Sequence, residues 1–334
     1  MGVNLGELLP CKSVELEHLT GRPIAIDAYN TLYQFLAIIR QPDGTPLMDS
    51  RGEITSHLTG LLYRTSNLVA MGIKPVFVFD GAPPEKKHEV LAQRTASRAK
   101  AKEKWDEALE KGEVEEARAY AQQSTRLTKE MVDQSKLVLD ALGLPWVQAP
   151  GEGEAQAAAM AAAGDVWAAA SQDFDSLLFG APRLLRNVTI TGRRKLPRKN
   201  VYVLVTPEVI EMTESELDRK QLIEIGLMIG TDYNEGVKGI GPKKALAAVK
   251  AGKNADDVHR DAGLEGDLTP IRDLFMHPDT TKKYELSWRA PDSAAAMKLF
   301  VDRFEFSSDR VKASLEKMGE AASTKGAQSR LDMW

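Results

Sequence analysis

Seven acidic residues sit where their side chains could converge: Asp27, Asp80, Glu152, Glu154, Asp173, Asp175 and Asp232. Four of them form two spaced pairs, Glu152 and Glu154 in APGEGEAQAAAM, and Asp173 and Asp175 in SQDFDSLLFG. At a turn or helix start this spacing lets both side chains reach one cluster, and on a strand both share a face. Like charges brought this close repel by roughly 1 kcal/mol per pair at 4 Å in water, and by about 4 at an effective dielectric of 20. Several such pairs would rival a domain's whole stability of roughly 5–15 kcal/mol. A divalent ion neutralises them best, and an all-carboxylate donor set suits Mg²⁺ or Mn²⁺ rather than zinc. There are more acids than one ion needs. Two ions about 3.5–4 Å apart form the usual clamp for phosphodiester hydrolysis. A lone Asp-x-Asp is weak, because caps and solvated loops use it too; the joint pattern carries the reading. His18, His57, His88, His259 and His277 lack zinc spacing and read as structural or surface residues.

The elements that would position these acids alternate. PIAI reads as a buried strand ending at Asp27, followed by a helix that carries Tyr29 and Tyr33. PVFVF repeats the design, ending at Asp80 before Gly-Ala-Pro-Pro stops the strand. PWVQAP is a short strand, and GEGEAQAAAMAAAG is a helix with carboxylates in its first turn, where the helix dipole favours them. DVWAAASQ is the next strand, with Asp173 and Asp175 just past its end. RLLRNV and NVYVLV are further strand candidates. TESELDRKQLIEIGLMIG reads as an amphipathic helix, followed by Asp232. This alternation predicts an α/β fold: a mostly parallel central sheet with helices on both faces. In such sheets functional groups gather beyond the carboxyl ends of the strands. Asp27, Asp80, Asp173 and Asp175 all fall at such ends. From about 85 to 143 the chain is polar and helix-rich, broken near Gly112 and at 124–125, and it leaves the sheet directly after Asp80.

Basic residues cluster at 86–104, 193–199 and 237–244, although the net charge is −4. A nucleic-acid footprint is local, so the net charge does not exclude one. Lys87 and Arg94 lie seven apart, about two helical turns, and share a face that Arg98 extends. They are placed to meet a scissile phosphate beside the acids. Tyr33 is placed to stack on a base. VKGIGPKKAL has the look of a helix-hairpin-helix turn: Gly239 and Gly241 bring backbone close to a phosphate, and Lys243 and Lys244 add charge. Each of these features alone also fits a solvated helix, a plain helix start or core packing.

The 334 residues are 43% hydrophobic and 28% charged, ordinary for a globular chain of one large domain or two small ones. One cysteine, Cys11, excludes an intrachain disulfide and favours a reducing setting. No signal peptide or ~20-residue apolar span is apparent. An intracellular, cytoplasmic or nucleoid-associated location without membrane contact is expected.

At this point the residues match a family. IAIDAYNTLYQFL, GEITSHLTGLLYRT, GIKPVFVFDGAPPEKK, EARAYAQQSTRLTKEM, APGEGEAQAA, SQDFDSLLFG, IGTDYNEGVKGIGPKKAL and the tail QSRLDMW occur in one order over nearly the whole chain. The region from about 252 to 318 matches more loosely. The chain closely resembles the flap endonucleases, structure-specific 5′ nucleases of DNA replication and repair, and is most similar to an archaeal member. The resemblance implies cleavage of a 5′ single-stranded flap at its junction with duplex, with 5′ exonuclease activity and a role in Okazaki fragment maturation. It implies two Mg²⁺, replaceable by Mn²⁺, on Asp27, Asp80, Glu152, Glu154, Asp173, Asp175 and Asp232. It implies catalytic roles for Lys87, Arg94 and Tyr33, and duplex binding by the glycine turn. There the carbonyls of Gly236, Val237 and Ile240 would hold K⁺. The 85–143 insertion resembles the arch that the free flap end passes through, and Gly2 maps onto the residue left at the N-terminus once Met1 is removed. QSRLDMW resembles the peptide that binds the sliding clamp (PCNA), through Gln328, Leu331 and Trp334. The family motif ends on two adjacent aromatics, whereas this sequence stops at Trp334.

These readings define an expected organisation: a single nuclease domain over 1–318, with the arch at about 85–143 and the helix-hairpin-helix-type region at about 214–260. A flexible tail would cover 319–334, and the protein would be a monomer acting on branched or flapped DNA. Two other readings remain open from residues alone. One is a non-catalytic DNA- or clamp-binding scaffold on the same fold; the other is a metal-dependent RNA nuclease or phosphatase of related architecture.

Overall fold

The computed structural model describes residues 3–82, 87–190, 192–195 and 201–331. Its strands are β1 (Cys11–Ser13), β2 (Pro23–Asp27), β3 (Lys74–Phe79), β4 (Trp146–Gln148), β5 (Ala168–Ala170), β6 (Arg183–Arg186), β7 (Gly192–Lys195), β8 (Tyr202–Val205) and β9 (Glu208–Glu211). Seven of them form one sheet in the order β1-β9-β6-β5-β2-β3-β4. The run β6-β5-β2-β3-β4 is parallel, and β9 and β1 extend it antiparallel. The sheet is therefore mostly parallel, as expected, with an antiparallel edge that the sequence reading did not include. NVYVLV contributes β8, but that strand pairs with β7 in a separate ribbon.

The helices are α1 (Ala28–Ile38), α2 (Ser56–Ala70), α3 (His88–Glu110), α4 (Val114–Gln123), α5 (Lys129–Ala141), α6 (Gly153–Ala163) and α7 (Asp175–Leu178). They continue as α8 (Arg219–Ile229), α9 (Pro242–Lys250), α10 (Ala255–Asp261), α11 (Thr269–Met276), α12 (Ser293–Met297) and α13 (Ser308–Leu331). Among the described residues, no helix is long and apolar enough to cross a membrane.

Strand side chains alternate between two faces, and each face builds its own core. Ala25, Val76, Val78, Val147, Ala169 and Ile210 pack with α6, α7, α8 and α11. Ile24, Ile26, Phe77, Phe79, Ala168 and Ala170 pack with α1, α2, α5 and α13. Both faces are covered, which explains why PIAI and PVFVF read as unbroken apolar runs. The alanines of β5 and α6 are small enough to let that helix lie close to the sheet.

The long insertion after Asp80 is helical, as expected. Gly112, with φ +71°, turns the chain between α3 and α4, and a break at Ser124–Thr125 separates α4 from α5. Arg40 at the end of α1 ties this insertion down. Its guanidinium donates to the carbonyls of Leu36 and Gly44 at 2.7 Å and to the Thr125 hydroxyl at 2.8 Å.

The expected boundary at 319 falls inside an element: α13 continues as helix through Leu331. Ala, Glu, Lys and Gln are good helix formers, and no proline interrupts the run.

One glycine sets the spacing of the site. Gly81 donates to the Gly151 carbonyl at 2.7 Å, joining the end of β3 to the loop before α6. A Cβ at Gly81 would lie 2.3 Å from the carbonyl oxygens of both Ala149 and Pro150. Gly81→Ala must therefore push Asp80 away from Glu152. Thermal melts should show a loss of about 2–3 kcal/mol, the scale of overpacking, together with a fall in cleavage. A melt unchanged from that of the parent chain would contradict this packing.

Candidate active site

Parallel pairing delivers the acids to one edge. Asp27 pairs with Val78, so Asp80 lies just beyond it on the neighbouring strand. Ile26 pairs with Ala170, and the chain after β5 then carries Asp173 and Asp175 over the same end. Phe79 pairs with Gln148, and the loop after β4 leads to Glu152 and Glu154 at the start of α6. Asp232 arrives from the loop after α8.

Four of the carboxylates accept from a donor fixed by the fold. Asp27 caps α1 by accepting from the Asn30 N–H at 3.0 Å. Asp80 accepts from the Gly153 N–H at 2.7 Å. Ser171 donates its hydroxyl to Glu154 at 2.6 Å and accepts the Asp173 N–H at 3.2 Å. Asp175 accepts from the Val3 N–H at 2.8 Å, so the N-terminal segment is part of the site. Gly2 lies outside the described residues.

Lys87 and Arg94, from the base of the insertion, reach into the cluster. Lys87 Nζ is 2.5 Å from Glu152 and 3.7 Å from Asp232, and Arg94 donates to Asp232 at 2.5 Å. Lys87 also lies 5.8 Å from the centre of the Tyr233 ring. Arg98 does not join the acids: its guanidinium lies 4.9 Å over the ring of Tyr33. Among the described residues, no three acids already surround a single point in the manner of a formed metal site. Lys87 instead bridges two of them.

Burial and mutual repulsion push several of these acids upward. For Asp27, burial and then Asp80 raise the carboxyl well above its usual range. Burial and then Glu152 push Asp80 up to about 6. Glu154 rises through burial and then Asp175. Burial pushes Asp175 up to about 7, against the Val3 N–H, with Asp232 and Asp173 adding to the rise. Burial pulls the Lys87 ammonium down, but Glu152 and Asp232 outweigh it and the net shift is upward. A buried set of acids that resists ionisation is a set that gains from a cation, and its all-oxygen chemistry fits a hard divalent ion.

Below about pH 4 these acids are protonated in folded and unfolded chains alike. As pH rises through the window from about 4 to 7, the unfolded chain ionises first and the folded one lags, so their contribution to stability is lost. The metal-free melting temperature should fall by several degrees between about pH 5 and pH 8. Added Mg²⁺ should raise it more at pH 8 than at pH 5. Equal Mg²⁺ shifts at both would contradict this account.

The glycine turn lies before α9. Gly239 has φ +85°, Gly241 is extended at the helix N-cap, and Pro242 opens the helix. Gly236 packs against the backbone of Ile229 and Gly230, and a Cβ there would lie 2.2 Å from the Ile229 carbonyl carbon. Val237 donates to Met228 at 2.8 Å, and Ile240 donates to Val237 at 3.0 Å. Lys244 donates to the Gly239 carbonyl, while Lys243 is 82% exposed beside Glu7. This group stands apart from the acid cluster in its contacts. Gln328 and Leu331 belong to α13, with side chains outside the description; Trp334 lies beyond the described residues.

Sequence reasoning missed Asn30, Ser171, Tyr233 and the Val3 N–H. Tyr233 follows Asp232 directly, and that adjacency was the only available signal.

Family models agree with this architecture. The XPG N-terminal domain matches residues 2–101, and the XPG I-region matches residues 143–232. Family models and fold together define an XPG-class nuclease. The chain is 54% identical to flap endonuclease 1 of Pyrococcus furiosus, over 100% of this chain and 99% of that protein. Its fold is similar to that of flap endonuclease-1 from Methanococcus jannaschii, with a TM-score of 0.77 and 41% identity over 97% of this chain and 100% of that one. The catalytic core of Rad2 in complex with DNA substrate shares the fold at 23% identity, with a TM-score of 0.70 over 95% of this chain and 100% of that one. The chain belongs to the flap endonuclease family and is a structure-specific nuclease of DNA. Membership implies use of a divalent metal ion.

Proposed function

We propose that the acid cluster holds two Mg²⁺ ions and hydrolyses a phosphodiester where a 5′ flap meets duplex DNA. Asp27, Asp80, Glu152, Glu154, Asp173, Asp175 and Asp232 would hold the pair, with Mn²⁺ a substitute. Bound there, the ions supply an activated water and neutralise the scissile phosphate and the leaving oxygen. The observation that carries this reading is the convergence of buried, upward-shifted carboxylates from four adjacent parallel strand ends.

The chain's own cations bind and orient. Lys87 and Arg94 exchange carboxylate partners for the scissile phosphate; Lys87 acts as a point charge and Arg94 as a planar fork. Tyr33 presents a ring on which a base stacks, and Arg98 holds that ring from one side. The helices after Asp80 form an arch over the free 5′ end. The region at 214–260 grips the duplex backbone through Gly239, Gly241, Lys243 and Lys244, with K⁺ on the carbonyls of Gly236, Val237 and Ile240. The C-terminal residues Gln328, Leu331 and Trp334 dock on the sliding clamp, and the enzyme acts as a monomer.

Flap DNA, the matching RNA flap and a small phosphate ester, each compared in Mg²⁺, test the substrate class. Cleavage of flap DNA well above the other two is expected. Preferential hydrolysis of RNA or of the ester would overturn the reading.

A further inference from the structure

We propose that Asn30 is a positioning residue of the acid cluster, its side-chain amide bracing Asp173 against the α1 N-terminus that holds Asp27. The inference rests on the metal reading above. Two carboxylates, one at the end of β2 and one in the loop after β5, meet this one residue. The Asn30 backbone N–H donates to Asp27 Oδ1 at 3.0 Å, and its Nδ2 donates to Asp173 Oδ2 at 3.1 Å. Any residue at this position offers the first contact, but only a short side chain ending in an N–H makes the second. The orientation of the amide is set by chemistry. A carboxylate cannot donate, so the NH₂ group must face Asp173. The Asn30 oxygen is then left to accept, and Gln34 Nε2 donates to it at 2.7 Å from one turn further along α1. Gln34 in turn turns its own oxygen toward the Thr189 hydroxyl, in a long contact of 3.5 Å.

The chain of donors therefore runs in one direction, from Thr189 through Gln34 and Asn30 to Asp173. It occupies one oxygen of Asp27 and one of Asp173, and fixes how both acids present themselves to the pocket. Asp173 lies in the loop after β5 and has no rigid element of its own; Ser171 anchors its backbone, and Asn30 anchors its head. Such outer partners of ligating carboxylates typically govern metal affinity by 10–100-fold when removed.

The test is Mn²⁺ binding by the full chain without DNA, followed by electron paramagnetic resonance of free Mn²⁺. Metal-free melts are run alongside. Asn30→Leu is expected to weaken Mn²⁺ binding by about tenfold or more. Gln34→Leu, which touches no acid, is expected to weaken it in the same direction by less. A purely structural role would lower the metal-free melting temperature and leave the Mn²⁺ affinity of both folded variants unchanged, which overturns the proposal. Should Asn30→Leu fail to fold, Gln34→Leu decides alone, and an unchanged affinity there overturns it equally. Absence of Mn²⁺ binding by the unaltered chain would overturn the metal reading, and this inference with it. Binding by the unaltered chain with no change in the variants overturns only the role of Asn30.

Discussion

Asp173→Ala should reduce flap cleavage by on the order of 10³-fold or more while flap binding survives. Its carboxylate stands among Asp27, Glu154 and Asp175, each of which feels its charge. Removing it takes a ligand from the proposed ion pair. The duplex contacts proposed for the glycine turn, Lys243 and Lys244 do not involve this carboxylate. The same substitution relieves repulsion in the metal-free chain. Its metal-free melting temperature should hold or rise, and its Mg²⁺-dependent increase should shrink. Few substitutions combine lost activity with retained stability, so the pair of results is diagnostic. Cleavage at the parent rate would sink the mechanism. Lost flap binding together with lost cleavage would mean that Asp173 serves docking instead.

Lys87→Ala should have the second largest effect. Lys87 contacts Glu152 at 2.5 Å, with both side chains about seven-eighths buried, and its ammonium lies 5.8 Å from the centre of the Tyr233 ring. Removal leaves Glu152 without its cation, while Asp232 keeps Arg94, an imbalance that costs about 3 kcal/mol for a buried pair. In the metal-free chain this should appear as a lower melting temperature, and Mg²⁺ should restore most of it. Under single-turnover conditions, cleavage should fall by about 10²–10³-fold while flap affinity changes by far less. The comparison separates phosphate orientation from docking. A large loss of affinity with normal turnover would reassign Lys87 to docking.

Much of the site was legible in the sequence, for a physical reason. A parallel sheet buries both faces, so β2 and β3 announce themselves as apolar runs, and an acid at the end of such a run stands out. Asp27 and Asp80 are of this kind. Glu152, Glu154, Asp173 and Asp175 were legible through their spacing. The antiparallel edge was not: β1 and β9 span three and four residues, too short to show a period. The side chains that orient the acids were also illegible. Asn30 and Asp173 lie 143 residues apart, and nothing local marks a helix asparagine as the partner of a distant carboxylate. The Val3 contact with Asp175 depends on a backbone N–H and leaves no mark on residue type at all. Periodicity puts Arg98 on the face of Lys87 and Arg94, yet it ends over Tyr33. Periodicity fixes a face of a helix, and the neighbouring element decides the contact.

On the proposed reading the acid cluster works only through divalent ions. A labelled double-flap duplex incubated with the full chain, with and without Mg²⁺, tests it most directly. Incision at the junction with Mg²⁺, and none after chelation while the duplex remains bound, is the predicted result. Equal cleavage in the presence of chelator would contradict it.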